Sequence, residues 1–128
     1  MTMGVFAIRI SPLWGLLLRI VGITPETAFV ELGERRLDVT FGSYRRSIDL
    51  SAIDGAETMK WPWHGGVGIR MGRGLFALIG DTGDAVTVRF KSPQSFTYLV
   101  TVNATRAAFS LVDGEGFVRA LNARLHGE

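Results

Sequence analysis

The sequence predicts a mainly β protein: a bent antiparallel barrel of about seven strands with a carboxy-terminal amphipathic helix and an added amino-terminal strand and short helix. Three observations carry this. After Pro25, apolar and polar residues alternate for about ninety residues, the period of half-buried strands. Glycine supplies 16 of 128 residues, near twice the usual ~7%, as many tight turns require. The helical period returns only after Asp113, where Phe117, Val118, Leu121 and Leu125 form one stripe opposite Glu115, Arg119 and Asn122.

The length suits a single domain, with residues 1–25 as the extension and 26–128 as the barrel and its helix. At 47% hydrophobic and 20% charged, the chain is far from the composition of disorder. The first helix is bracketed by its punctuation: Ser11 as N-cap, Pro12 at the first helical position and Gly22 as a left-handed stop give a helix over 12–21. At 1.5 Å per residue it is roughly 15 Å long, about half of what a bilayer core demands. Only Arg19 is charged. Trp14, Leu17, Leu18 and Val21 share one face at i, i+3, i+4, i+7, a candidate interface for a homo-oligomer wherever that face does not pack on its own barrel. Arg19 interrupts the run and no small-x-small site follows it, so a signal peptide is not expected and residence is expected to be cytoplasmic.

Residues 28–32 and 35–41 read as a hairpin around Gly33-Glu34, with Leu37, Val39 and Phe41 inward. Gly42-Ser43 turns the chain into a strand over 45–50. A further strand, 52–59, leads to the aromatic loop Trp61-Pro62-Trp63-His64-Gly65-Gly66. Leu75 to Ile79, a continuous apolar run, and Val86 to Phe90, which alternates strictly, read as a hairpin around the turn chemistry of Gly80 to Asp84. Phe96 to Val102 alternates again, Ala107 to Val112 makes a last strand, and Asp113 caps the final helix.

Zero cysteines exclude disulfides, thiolate metal sites and cysteine nucleophiles. His64 and His126 are too far apart in sequence for a spaced histidine pair, so neither a metal nor a cofactor is expected. The net charge of +2 is mild and names no partner.

The runs Leu37-Asp38-Val39-Thr40-Phe41-Gly42, Ile48-Asp49-Leu50-Ser51-Ala52-Ile53, Gly65-Gly66-Val67-Gly68-Ile69-Arg70 and Val86-Thr87-Val88-Arg89-Phe90, with the strand order and terminal helix, resemble bacterial pleckstrin-homology-like proteins of unknown function over residues 28–126. The resemblance implies a scaffold for binding or assembly, in some members a ring-like homo-oligomer. Eukaryotic relatives of that fold hold phosphoinositides through a basic pattern in the first hairpin. Here that turn is Gly33-Glu34-Arg35-Arg36, which lacks the pattern and carries an acid.

Gly65, Gly66, Gly68, Gly72 and Gly74 with Arg70 and Arg73 invite comparison with a phosphate cradle. Met71 stands where a dinucleotide fingerprint needs glycine, and neither a Gly-Lys-Ser/Thr nor a βαβ pattern is present. The cluster reads instead as a bulged strand connection. Trp61, Trp63 and His64, with Arg70 and Arg73 following, are the candidate binding residues: aromatic anchors beside cations suit a protein partner. The competing reading packs one tryptophan over the barrel's open end. Arg35, Arg36, Arg45 and Arg46 form a weak candidate anion patch, with Asp38 and Asp49 as neighbours that would pair them. No Gly-x-Ser-x-Gly elbow exists, and the acid nearest His64 is Glu57, so no catalytic residue is assigned.

The function expected is therefore a non-catalytic binding or self-assembly module, contacting a protein or peptide through residues 60–73, with the helix over 12–21 as the candidate surface for a second copy of itself. The alternative is a small-molecule or lipid-headgroup binding protein on the same fold. An internal ligand site is disfavoured because Phe76, Phe90, Phe109 and Phe117 would fill so small a barrel. Nucleic acid is not expected, because no row of basic residues alternates with aromatics, and membrane-surface contact is not expected either.

Overall fold

The structure, a computed structural model, describes residues 4–20, 22–24, 26–62, 65–72, 74–98 and 100–126. The chain is mainly β and builds two sheets. Strands β1 (Gly4–Ala7), β2 (Ala28–Leu32), β3 (Arg36–Phe41) and β4 (Tyr44–Asp49) form an antiparallel sheet in chain order. A 3-10 turn at Leu50–Ala52 passes to the second sheet. Its strands are β5 (Ile53–Trp61), β6 (Gly68–Gly72), β7 (Leu75–Ile79), β8 (Gly83–Tyr98) and β9 (Val100–Phe109), in the order β5-β8-β9-β7-β6. Helix α1 (Pro12–Ile20) follows β1, and α2 (Gly114–Leu125) follows β9.

The expected bent antiparallel barrel of about seven strands is corrected on two points. The described residues form nine strands in two sheets that do not close. Because β8 and β9 insert between β5 and the β6–β7 hairpin, β9 meets β7 in parallel, and β7 and β8, which the sequence reads as a hairpin, are separated by β9 and do not pair. What joins the sheets is a short seam over residues 8–11. Ile8 N–H donates to the Ala28 carbonyl at 3.0 Å and Ser11 N–H to the Gly80 carbonyl at 2.9 Å, while Val112 N–H donates to Ala7 at 3.0 Å. Ser110, fully buried, completes it: its Oγ accepts from Gly80 N–H at 2.8 Å and donates to the Arg9 carbonyl at 3.1 Å.

The inward positions follow the alternation. Leu37, Val39, Phe41 and Ile48 are all buried between the sheets. Phe76 stacks on Phe96 with centroids 4.6 Å apart and touches Tyr44 at 5.3 Å, and Phe6 meets Phe117 edge-on at 5.3 Å. Phe76, Phe90, Phe109 and Phe117 are buried and fill the interior.

A second correction concerns residues 96–102. They are a hairpin, the tip of the β8–β9 pair, with Phe96 opposite Val102 and Tyr98 opposite Val100. The period of two continues through the reversal with no glycine or proline to mark it, so both arms read as one strand. Thr97 and Thr101 face each other across the turn, hydroxyl to hydroxyl at 2.9 Å. Upstream, the register shifts between Arg89 and Gln94, around Pro93, which is why one strand can serve both a sheet and a projecting arm.

Helix α2 begins as expected, with the Asp113 carboxylate accepting from Gly116 N–H at 3.0 Å, and buries Phe117 and Leu121. Asn122 sits against the outer edge of β5. Ala56 N–H donates to its Oδ1 and its Nδ2 donates to the Ala56 carbonyl, both at 3.2 Å. The side-chain amide thus takes the place of a neighbouring strand.

Helix α1 divides the predicted interface residues. Leu18 turns into the main core, which corrects its assignment to an intersubunit face. Leu17 points outward with Leu16 and Ile20, at 57%, 73% and 76% exposure. Val21 and the Trp14 side chain lie outside the described residues. Among the described residues no helix is long and apolar enough to cross a membrane.

Tyr44 supplies a pH prediction. Burial pushes its phenol from 10 up to about 12, partly opposed by the Arg46 charge. The fold favours the neutral phenol, so its stabilisation is complete below pH 10 and is lost as pH rises through about 12. Urea melts between pH 10 and 12 should fall more steeply for the wild type than for Tyr44→Phe; parallel curves would contradict the assignment.

Candidate binding surface on the second sheet

The register aligns the outer face of the second sheet in rows. Glu57, Thr87, Ala108, Ala77 and Arg70 form one row; Gly55, Arg89, Arg106, Leu75 and Gly72 form the next. Ala77, Ala108, Ala85 and Ile79 lie on this outer face yet are buried, in a cluster with Trp61. Trp61 and Val67 pack on these small side chains. Trp61 is 8% exposed, and its Nε1–H donates to the Gly66 carbonyl at 2.9 Å. Only glycine fits at position 65, where a Cβ would stand 2.7 Å from that nitrogen and 2.9 Å from the indole Cε2.

Beyond the indole, toward β6, lies a shallow depression of about 410 Å3 lined by Trp61, Gly65, Arg70, Met71, Leu75 and Arg106. Arg70 reaches back over Gly66, where a Cβ would meet its Cζ at 3.3 Å. Among the described residues no carboxylate lines the depression. Neighbouring cations are already matched: Arg89 pairs with Glu57 and Lys60 with Asp84. Arg70 and Arg106 make no ion pair with any described carboxylate.

Of the predicted binding residues, Trp61 and Arg70 therefore come together, with Trp61 mostly covered by its own loop. Trp63, His64 and Arg73 lie outside the described residues. Arg106 and Leu75 went unrecognised as partners of this surface, since their placement depends on the parallel β7–β9 register. One signal was available: Leu75 to Ile79 is apolar without alternation, the mark of a strand covered on both faces.

The four arginines of the candidate anion patch are dispersed. Arg36 pairs with Asp49 at 3.6 Å across the β3–β4 ladder, and Arg45 is exposed at the opposite end, beside Thr40. Arg46 points to the core side, its Nε donating to the Ser95 carbonyl at 3.2 Å and its guanidinium 5.4 Å from the Phe96 ring centre. Arg35 is exposed in the β2–β3 turn.

A second cavity, about 480 Å3, lies between β5 and the start of α2 and includes Arg9, Lys60, Asp84 and Asp113. Its cations are matched, Arg9 to Asp81 at 3.1 Å and Lys60 to Asp84, whose carboxyl the Lys60 hydrogen bond holds below the usual range. Among the described residues no group of three or more His, Asp or Glu side chains gathers as a metal site. No family model, curated protein or solved structure matches this chain.

Proposed function

We propose that the chain is a non-catalytic binding module that meets a protein or peptide partner through the region 60–73. One observation carries this reading: an open depression that combines apolar walls, Trp61, Met71 and Leu75, with two arginines lacking a described acidic partner. Apolar area supplies the affinity in such a surface and the paired charge supplies the selectivity. The pleckstrin-homology-like scaffold belongs to the same reading and is supported by the two sheets and terminal helix, with a strand order of its own. A phenylalanine-filled interior favours surface contact over an enclosed ligand. A lipid headgroup would use the same two cations and is the alternative.

The test is selection from a displayed random-peptide library against the whole chain. Enriched peptides should bind the wild type and lose at least about tenfold in affinity on Arg70→Glu/Arg106→Glu, a 1.4 kcal/mol effect. A selection yielding only peptides indifferent to both substitutions sinks the reading.

Self-assembly is favoured by a separate observation, the outward Leu16, Leu17 and Ile20 of α1. Light scattering decides it: a defined oligomer that Leu17→Asp returns to monomer supports assembly through α1, and a monomeric wild type excludes it.

A further inference from the structure

We infer that the free edge of β6 takes an extended acidic peptide as an added strand, with Arg70 meeting its carboxylates and Ile69 and Met71 packing its apolar side chains. This rests on the binding reading above and specifies the partner's chemistry and the mode of contact.

The inference follows from how the ends of the second sheet are treated. β5, at one end, has its outer edge closed by the Asn122 amide at Ala56. β6, at the other end, pairs among the described residues only with β7. An end strand turns alternate N–H and C=O groups outward, and these are a template for another strand. All five residues of β6 are partly or well exposed, with Met71 at 41%.

The faces of β6 dictate what that strand should be. Ile69 packs with the main core on one face, and Met71, two residues on, alternates to that side while also bordering the depression at the strand's edge. Arg70 lies on the other face with the depression and with Arg106, and Gly68 and Gly72 flank it without side chains. An incoming strand alternates likewise, so its apolar positions would neighbour Ile69 and Met71 while its polar positions neighbour Arg70. With two arginines and no described carboxylate lining that side, the polar positions should be acidic. A second copy of the chain is a poor occupant. Antiparallel pairing centred on Arg70 would set it directly against its own counterpart, and like charges opposite one another destabilise a ladder.

The probe is the pentapeptide acetyl-Val-Glu-Val-Glu-Val-amide, titrated into the 15N-labelled full chain and followed by the amide resonances. Shifts should concentrate at Ile69, Arg70 and Met71. Methylating alternate peptide nitrogens should weaken binding at least tenfold, as should replacing both glutamates by lysine, and Arg70→Glu should reverse the preference between the acidic and basic peptides. An N-methylated peptide that binds as well as its parent overturns strand addition, as does an absence of shifts in β6. That arm needs no protein variant, so misfolding of Arg70→Glu would leave it intact. It also differs from failure of the broader reading: selected peptides lost on Arg70→Glu/Arg106→Glu but indifferent to N-methylation keep the binding surface and remove the added strand.

Discussion

Phe76→Ala should lower stability by about 3–5 kcal/mol, the range for truncating a fully buried aromatic. Phe76 is 1% exposed. It stands on β7 in the second sheet, stacked at 4.6 Å on Phe96 from the projecting arm of β8, and it also meets Tyr44 from the first sheet at 5.3 Å. Three elements distant in sequence therefore share one aromatic cluster, and no single neighbour can move into the vacated space without leaving another. Against a total of about 5–15 kcal/mol for an ordinary domain, the loss would leave a marginal protein. Urea denaturation checks it. A loss below about 1 kcal/mol would mean that the cluster does not hold the sheets together.

The second large effect is expected at Gly80. A Cβ there would lie 2.5 Å from the Arg9 carbonyl oxygen, 2.8 Å from Ile10 Cγ1 and 3.1 Å from Ile10 Cα. Two of these atoms are backbone, and the Arg9 oxygen is already held by the Ser110 hydroxyl. Relief therefore requires moving the seam away from β7, which strains the bonds Ser11 N–H makes to Gly80 and Gly80 N–H makes to Ser110. Gly80→Ala should cost about 2–3 kcal/mol, at the upper end of overpacking penalties. Gly72→Ala is the matched control, since nothing lies within 4 Å of a Cβ at that position. Equal melting temperatures for the two variants would show that the seam yields freely.

Local chemistry made much of the fold readable. Ser11, Pro12 and Gly22 bracket a helix observed over Pro12–Ile20, Asp113 caps α2, and the alternation in 37–41 correctly separates buried from outward residues. Strand order was not readable, because pairing β8 and β9 between β5 and β7 is a long-range choice that no local period records. The reversal at 98–100 was hidden for the opposite reason: its local pattern is too regular, running unbroken through both arms. Half of the described site follows the same logic. Trp61 and Arg70 stand out as residue types in a glycine-rich connection, whereas Arg106 acquires its place only once β9 lies beside β7.

The seam over residues 8–11 also imposes an order in time. The Ser110 hydroxyl and the Arg9 carbonyl that it meets are 101 positions apart. At ~5–20 residues per second, that separation means that residue 9 waits on the order of 5–20 s during synthesis before its partner exists. Pairings that close so much chain are the slowest to form. The first sheet can zip from local hairpins in that interval, but its junction with the second cannot. Joining the two sheets is therefore the late event of folding, completed only after Ser110 has been made.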